Sequence, residues 1–232
     1  MKKSDALFIL LVVALFLPFI LSDTIYEWYK SFNASHGMLM SFIKFAILST
    51  LGESLGLRIS TGAYYNRTFG IIPRMVVWGF LGMGINMAMI IFSKGTPVLL
   101  EHLGMDHAAS LMNGELCFPK FLVALAISVA MNSIFAPVFM TLHKITDTHI
   151  KDCGGSIRTL VTPIPMTRII TELNWAVLWG FVFKKTIPLF WYPAHTITFL
   201  LPSDTRVLFA AFLGIILGAV SCTHLTLPTI LR

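Results

Sequence analysis

Apolar positions in this chain run on continuously rather than alternating with polar ones. From Ala6 to Leu21 no charged residue interrupts them. Similar runs extend from Gly37 to Arg58, from Ile71 to Phe92, from Phe121 to His143 and from Val207 to Ser221. A further apolar stretch, Leu173 to Leu201, is broken by Lys184, Lys185, Pro188 and Pro193. Its front reads as an interfacial helix and its back, from about Leu178, as a span. An α-helix needs about 20 residues to cross the hydrocarbon of a bilayer. Barrel strands would alternate in polarity over about ten residues, and no segment does so. Because lipid offers the backbone no hydrogen bonds, the pattern predicts an all-α, polytopic transmembrane helical bundle of five to six spans. Pro137 is expected to kink the fourth span, since it lacks an N–H and crowds the preceding turn.

The division expected is an N-terminal hydrophobic helix (1–22), a single helical membrane domain (23–221) and a tail (222–232). The first helix follows Lys2 and Lys3, as a signal peptide would, but Phe19-Ile20-Leu21-Ser22-Asp23 is bulky at the deciding position and offers no small-x-small cleavage site. It reads as a retained helix. The tail, Cys222 to Arg232, differs abruptly from the apolar run before it and resembles translated adaptor sequence, so the natural terminus is expected to be missing.

Composition agrees with this picture: 56% of residues are hydrophobic and 12% charged, whereas soluble domains carry about 25% charge. Mean hydropathy is +0.80. The net charge of +6 is scattered, so no basic patch for nucleic acid forms. It orients the chain instead. With the N-terminus cytoplasmic, Lys2, Lys3, Arg58, Arg67, Arg74, Lys144, Lys151, Arg158 and Arg168 share that side. Lys30, Lys94, Lys120 and Arg206 lie opposite, among most of the acids. A bacterial inner membrane is expected, because no Arg/Ser-rich transit segment opens the chain.

The polar residues inside the spans carry the functional expectation. Ala46, Ser49, Glu53, Gly56 and Ser60 recur at helical spacing on one face. So do Gly79, Gly82, Asn86 and Ser93, and again Ala124, Ser128, Asn132 and Ala136. Gly52 with Gly56 and Gly214 with Gly218 match the close-approach pattern of membrane helices. A carboxylate at mid-membrane costs at least about 2.5 kcal/mol, and such residues pair or line a wet cavity. Glu53 therefore needs a partner from another helix or water, and Arg58 and Arg74 are the candidates. Glu53, Asn86, Asn132, Ser49 and Ser128 are read as lining a pore or a buried polar core, with Arg58, Arg67 and Arg74 at its cytoplasmic mouth.

Catalysis finds no footing. His36, His102, His107, His143, His149, His195 and His224 are dispersed, without tight ligand spacing. Cys117, Cys153 and Cys222 form neither a disulfide framework nor a zinc motif. No cofactor, metal site or reaction is indicated.

Trp191, Pro193, Phe199, Pro202 and Arg206 resemble a C-terminal element of the Mpv/PMP-type family of small peroxisomal and mitochondrial inner-membrane proteins. In that family a Trp-Pro element, a glutamine and an Asn-Phe pair precede a second proline with arginine four residues later. Asn132 before Ala136-Pro137-Val138, Gly52-Glu53, and Arg67 with Arg74 are similar to further family elements. Here Tyr192 separates Trp191 from Pro193, His195 stands near the glutamine position, Thr198 precedes Phe199, and Met131 replaces an acid. The resemblance covers roughly 37–221 and implies a weakly selective or nonselective channel. The leading expectation is thus a small pore or solute pathway. Its alternatives are a non-conducting membrane scaffold or assembly factor with a closed polar core, and a secondary transporter. The partners expected are the lipid bilayer, further copies of the chain, and small solutes or ions if it conducts.

Overall fold

The computed structural model describes residues 3–202, 205, 206, 208–210, 212 and 213. The predicted last span, with Gly214 and Gly218, and the tail 222–232 lie almost entirely outside the described residues. The elements are α1 (Lys3–Leu21), α2 (Asp23–Ser35), α3 (Gly37–Thr61), α4 (Ile71–His102), α5 (Ala108–Leu111) and α6 (Phe118–Asp152). A 3₁₀ turn (Ile157–Leu160), α7 (Met166–Glu172), α8 (Trp175–Val177), a π-helical segment (Leu178–Trp191) and α9 (Tyr192–Leu200) follow. Among the described residues there is no strand. Among the described residues, four helices, α1, α3, α4 and α6, are long and apolar enough to cross a membrane.

The helix boundaries have local causes. Gly62 ends α3 in the left-handed conformation (φ +82°), its N–H donating to the Arg58 carbonyl at 2.9 Å, as a glycine C-cap does. Ser22 separates α1 from α2 and accepts from the Ile25 N–H at 3.4 Å, an N-cap bond. The polar residues of α2 keep it out of any hydropathy window, so the apolar pattern does not mark it as a span. It carries an aromatic row instead: Trp28 stacks on Phe32 at 5.3 Å and Phe32 on His36 at 4.6 Å. The helices α4 and α6 continue well past the predicted ends at Phe92 and His143, because polar residues that leave the hydrocarbon still propagate a helix. The predicted fifth span is helical but divided between the π-helical segment and α9.

Helices α3, α4 and α6 form the centre. Phe45 of α3 faces Gly82 of α4 while Glu53 faces Arg74, so these two helices are antiparallel. A Cβ at Gly79 would collide with the ring of Phe42, and one at Gly82 with Phe45. The glycines therefore act as sockets for aromatic side chains. Phe45, Leu48, Ala88, Met89, Val123, Ala124, Ile127, Met131 and Phe199 make the main core. No residue of α1 is buried. Leu15 and Phe16 pack half-buried against that core, and the start of the helix is attached through Phe8, stacked on Tyr64 at 4.6 Å, and through Asp5.

Candidate functional site

The densest polar site joins the three central helices at one end. Arg74 stands in the first turn of α4, with its side chain 4% exposed. Its guanidinium donates to Glu53 Oε2 of α3 and to Asp147 Oδ1 of α6, while Nε donates to the Phe69 carbonyl. It also lies over the Phe69 ring, 4.5 Å from the centroid. The planar fork of arginine suits such several-sided binding, where a lysine ammonium would not.

The two carboxylates have second partners. Glu53 Oε1 bonds His143 Nε2 at 2.8 Å, and Asp147 Oδ2 accepts from Lys151 Nζ at 2.8 Å. Lys144 is 3.8 Å from the same oxygen. His143, Asp147 and Lys151 recur every four residues, which is one face of α6. The His143 ring packs on Trp78, 4.5 Å between centroids. Beside the cluster, a crevice among Arg74, Trp78, His143 and Ile150 is too narrow to admit water. At 1.5 Å rise per residue, Glu53 lies about 12 Å from the end of α3 and His143 about 14 Å from the end of α6. The cluster is thus displaced toward one end of the bundle.

Of the two arginines proposed for Glu53, Arg74 is the partner. Arg58 instead forks onto Asp5 of α1, Nε to Oδ1 at 2.8 Å and Nη2 to Oδ2 at 3.1 Å. Tyr64 donates to Asp5 Oδ1 at 3.2 Å. Burial, then this hydrogen bond, raises the Tyr64 phenol above its ordinary pKa. Arg67 is exposed on the loop between α3 and α4. The three mouth arginines therefore occupy three different settings.

The other polar residues sit elsewhere. Asn132 Oδ1 bonds His195 Nδ1 of α9 at 3.0 Å, and its Nδ2 donates to the Ser128 carbonyl at 2.8 Å. Ser128 Oγ donates to the Tyr192 carbonyl at 2.8 Å. Asn86 Nδ2 reaches the Gly37 carbonyl at 3.4 Å and Met38 Sδ at 3.3 Å. Asn86 lies about 18 Å along α4 from Arg74, and Asn132 about 16 Å along α6 from His143. Glu53 and Asn86 lie far apart along the contact between α3 and α4, and Asn132 lies between α6 and α9, so the three are not brought together. Ser49 is buried in α3, and among the described residues its hydroxyl has no hydrogen-bond partner. Gly52 and Gly56 are buried on the same helix.

The C-terminal motif builds a helix end. Pro193 stands in the first turn of α9, directly after the π-helical segment. Trp191 packs on His195 at 4.9 Å. Arg206 donates to the carbonyls of Leu201 and Phe199 at 2.9 and 3.0 Å, satisfying acceptors that a helix leaves open. Pro202 stands in the short stretch between them.

Sequence reasoning missed His143, Asp147, Lys151 and His195 as site residues. The four-residue spacing on α6 was the available signal, hidden because the predicted span stopped at His143. Among the described residues no group of three or more His, Cys, Asp or Glu side chains is placed to hold a metal ion. Comparison of the chain with protein-family models, with curated proteins and with solved structures finds no match.

Proposed function

We propose that this helical membrane protein is a non-conducting scaffold or assembly factor, its helices locked by a closed polar core. The observation that carries the reading is the clamp in which one guanidinium, Arg74, engages carboxylates from two other helices. A pore would need Glu53, Asn86 and Asn132 to face shared water. Each is instead engaged by a neighbouring element. In hydrocarbon such bonds act as interhelical glue. The proposed setting is a bacterial inner membrane, and the Lys/Arg distribution supports a cytoplasmic N-terminus.

The pore reading rests on the shared facing of the polar residues within their helices, strengthened by the Mpv/PMP-type resemblance, and one experiment separates the two. The full chain is reconstituted in liposomes, its fold checked by circular dichroism, and ion and small-solute flux measured beside Glu53→Ala. The scaffold reading expects tight vesicles for the parent chain and a partner that co-purifies from mild detergent. Flux through the folded parent that changes with Glu53→Ala would overturn it and make Glu53 a lining residue.

A further inference from the structure

The end of the bundle that holds the charge cluster also carries Arg67 and Arg158. Arg58, Arg74 and Arg168 are each bound to carboxylates. Arg67 and Arg158 are exposed, and among the described residues neither has an ion pair. They sit on two turns that are locked together. Gly70 and Gly155 both adopt positive φ, +63° and +70°, and a Cβ on Gly155 would lie 2.5 Å from the Arg67 carbonyl and 2.8 Å from Gly70 N. Only paired glycines allow so close an approach, so the loop bearing Arg67 and the turn leading to Arg158 are fixed relative to each other. The connector is tied back to α6 as well, because His149 Nε2 bonds the Thr162 carbonyl at 3.1 Å.

Apolar side chains surround Arg158 without being buried. Ile157 is 60% exposed and Val161 83% exposed. In water such residues would lose the apolar burial that stabilises a turn. At a membrane surface the same arrangement puts apolar groups at the acyl boundary and guanidinium groups at headgroup level. The charge complement is an anion, and arginine matches phosphate through its planar fork.

The geometry points to a binding site for an anionic phospholipid headgroup, in which Arg67 and Arg158 engage the phosphate and Ile157 and Val161 rest against the acyl chains. The site needs a membrane-inserted protein, whether or not the core conducts. It commits to lipid over a soluble phosphoester because the exposed apolar side chains share the turn of Arg158.

The test titrates phosphatidylglycerol and phosphatidylcholine into the detergent-solubilised full chain and measures the affinity of each. A basic residue near the surface of an anionic membrane contributes a factor of roughly five. Phosphatidylglycerol should therefore bind more tightly, and Arg67→Gln with Arg158→Gln should reduce that preference by roughly 25-fold. The Lys94→Gln variant, at the far end of α4, should retain it. Unchanged thermal unfolding of the double variant separates lost binding from lost folding. Should the double variant fail to fold, each single variant carries the roughly fivefold loss. Equal affinities for the two lipids, or an unaltered preference in the folded variants, would overturn the site. Displacement of the lipid by glycerol phosphate at equal concentration would also overturn it and assign a soluble phosphoester instead. Carbonate extraction from membranes reports insertion independently, so lost lipid preference in a carbonate-resistant protein rejects the site alone.

Discussion

Arg74 and Asp147 are 73 residues apart in sequence and share a charge-assisted hydrogen bond between the start of α4 and the last turns of α6. The same guanidinium holds Glu53 of α3, so one side chain closes a three-helix contact. Removing one partner of a buried ion pair is far more damaging than never building it, because the remaining charge stays desolvated. The loss is about 3–5 kcal/mol. Arg74→Met should destabilise by the lower part of that range, since His143 and Lys151 still serve the carboxylates. Arg74→Met combined with Glu53→Gln and Asp147→Asn should recover part of the loss. Unfolding followed by circular dichroism in one detergent would check both, and an Arg74→Met midpoint equal to the parent would refute the clamp.

The glycine sockets of α4 give a sharper steric test. A methyl group at Gly82 meets Phe45 close to its backbone, so side-chain rotation alone cannot relieve the clash. Gly82→Ala should cost about 1–3 kcal/mol, the usual penalty of overpacking. At Gly84 a new Cβ would come no nearer than 4.0 Å to Phe135. There the same change should be neutral or stabilising by up to about 1 kcal/mol, through helix propensity. Similar losses at both positions would point to backbone effects and away from the socket.

The ion pair between Asp5 and Arg58 joins the otherwise unburied α1 to the bundle. Asp5→Asn should leave the unfolding midpoint of the central helices nearly unchanged while speeding amide exchange in α1. Exchange followed residue by residue would decide. Equal acceleration in α3 and α6 would mean that α1 supports the core.

What the sequence disclosed depended on scale. Apolar runs located α1, α3, α4 and α6, because a bilayer imposes a length as well as a composition. They did not reveal α2, whose polar and aromatic residues average out over a window. Glu53 was recognisable as a group needing a partner, and Arg74 was one of two candidates. Choosing between Arg74 and Arg58 required knowing that Asp5 lies beside Arg58, a relation between the first and third helices that periodicity does not encode. Asn86 and Asn132 each lie on a small-residue face, and both are buried. Periodicity gives the face of a helix but not the neighbour covering it. Asn86 meets the start of α3 while Asn132 meets α9.

The pairing of Asn132 with His195 yields the last prediction. Both side chains are buried, and Asn132 Oδ1 and His195 Nδ1 are 3.0 Å apart. Truncating one leaves the other with an unmet donor or acceptor, at about 1–3 kcal/mol. Replacing both with apolar groups of similar size removes the need for the bond and can be nearly neutral. Asn132→Leu and His195→Leu should therefore each destabilise, and the double variant should be more stable than their sum implies. The Ser128 Oγ bond to the Tyr192 carbonyl at 2.8 Å remains in every variant and holds α9 in place. A double-mutant cycle on unfolding free energies measures the coupling directly, since contacting residues depart from additivity while independent ones do not. Strict additivity would mean that the two side chains do not bond in the membrane, and that α9 is held by packing around Phe199 and Trp191.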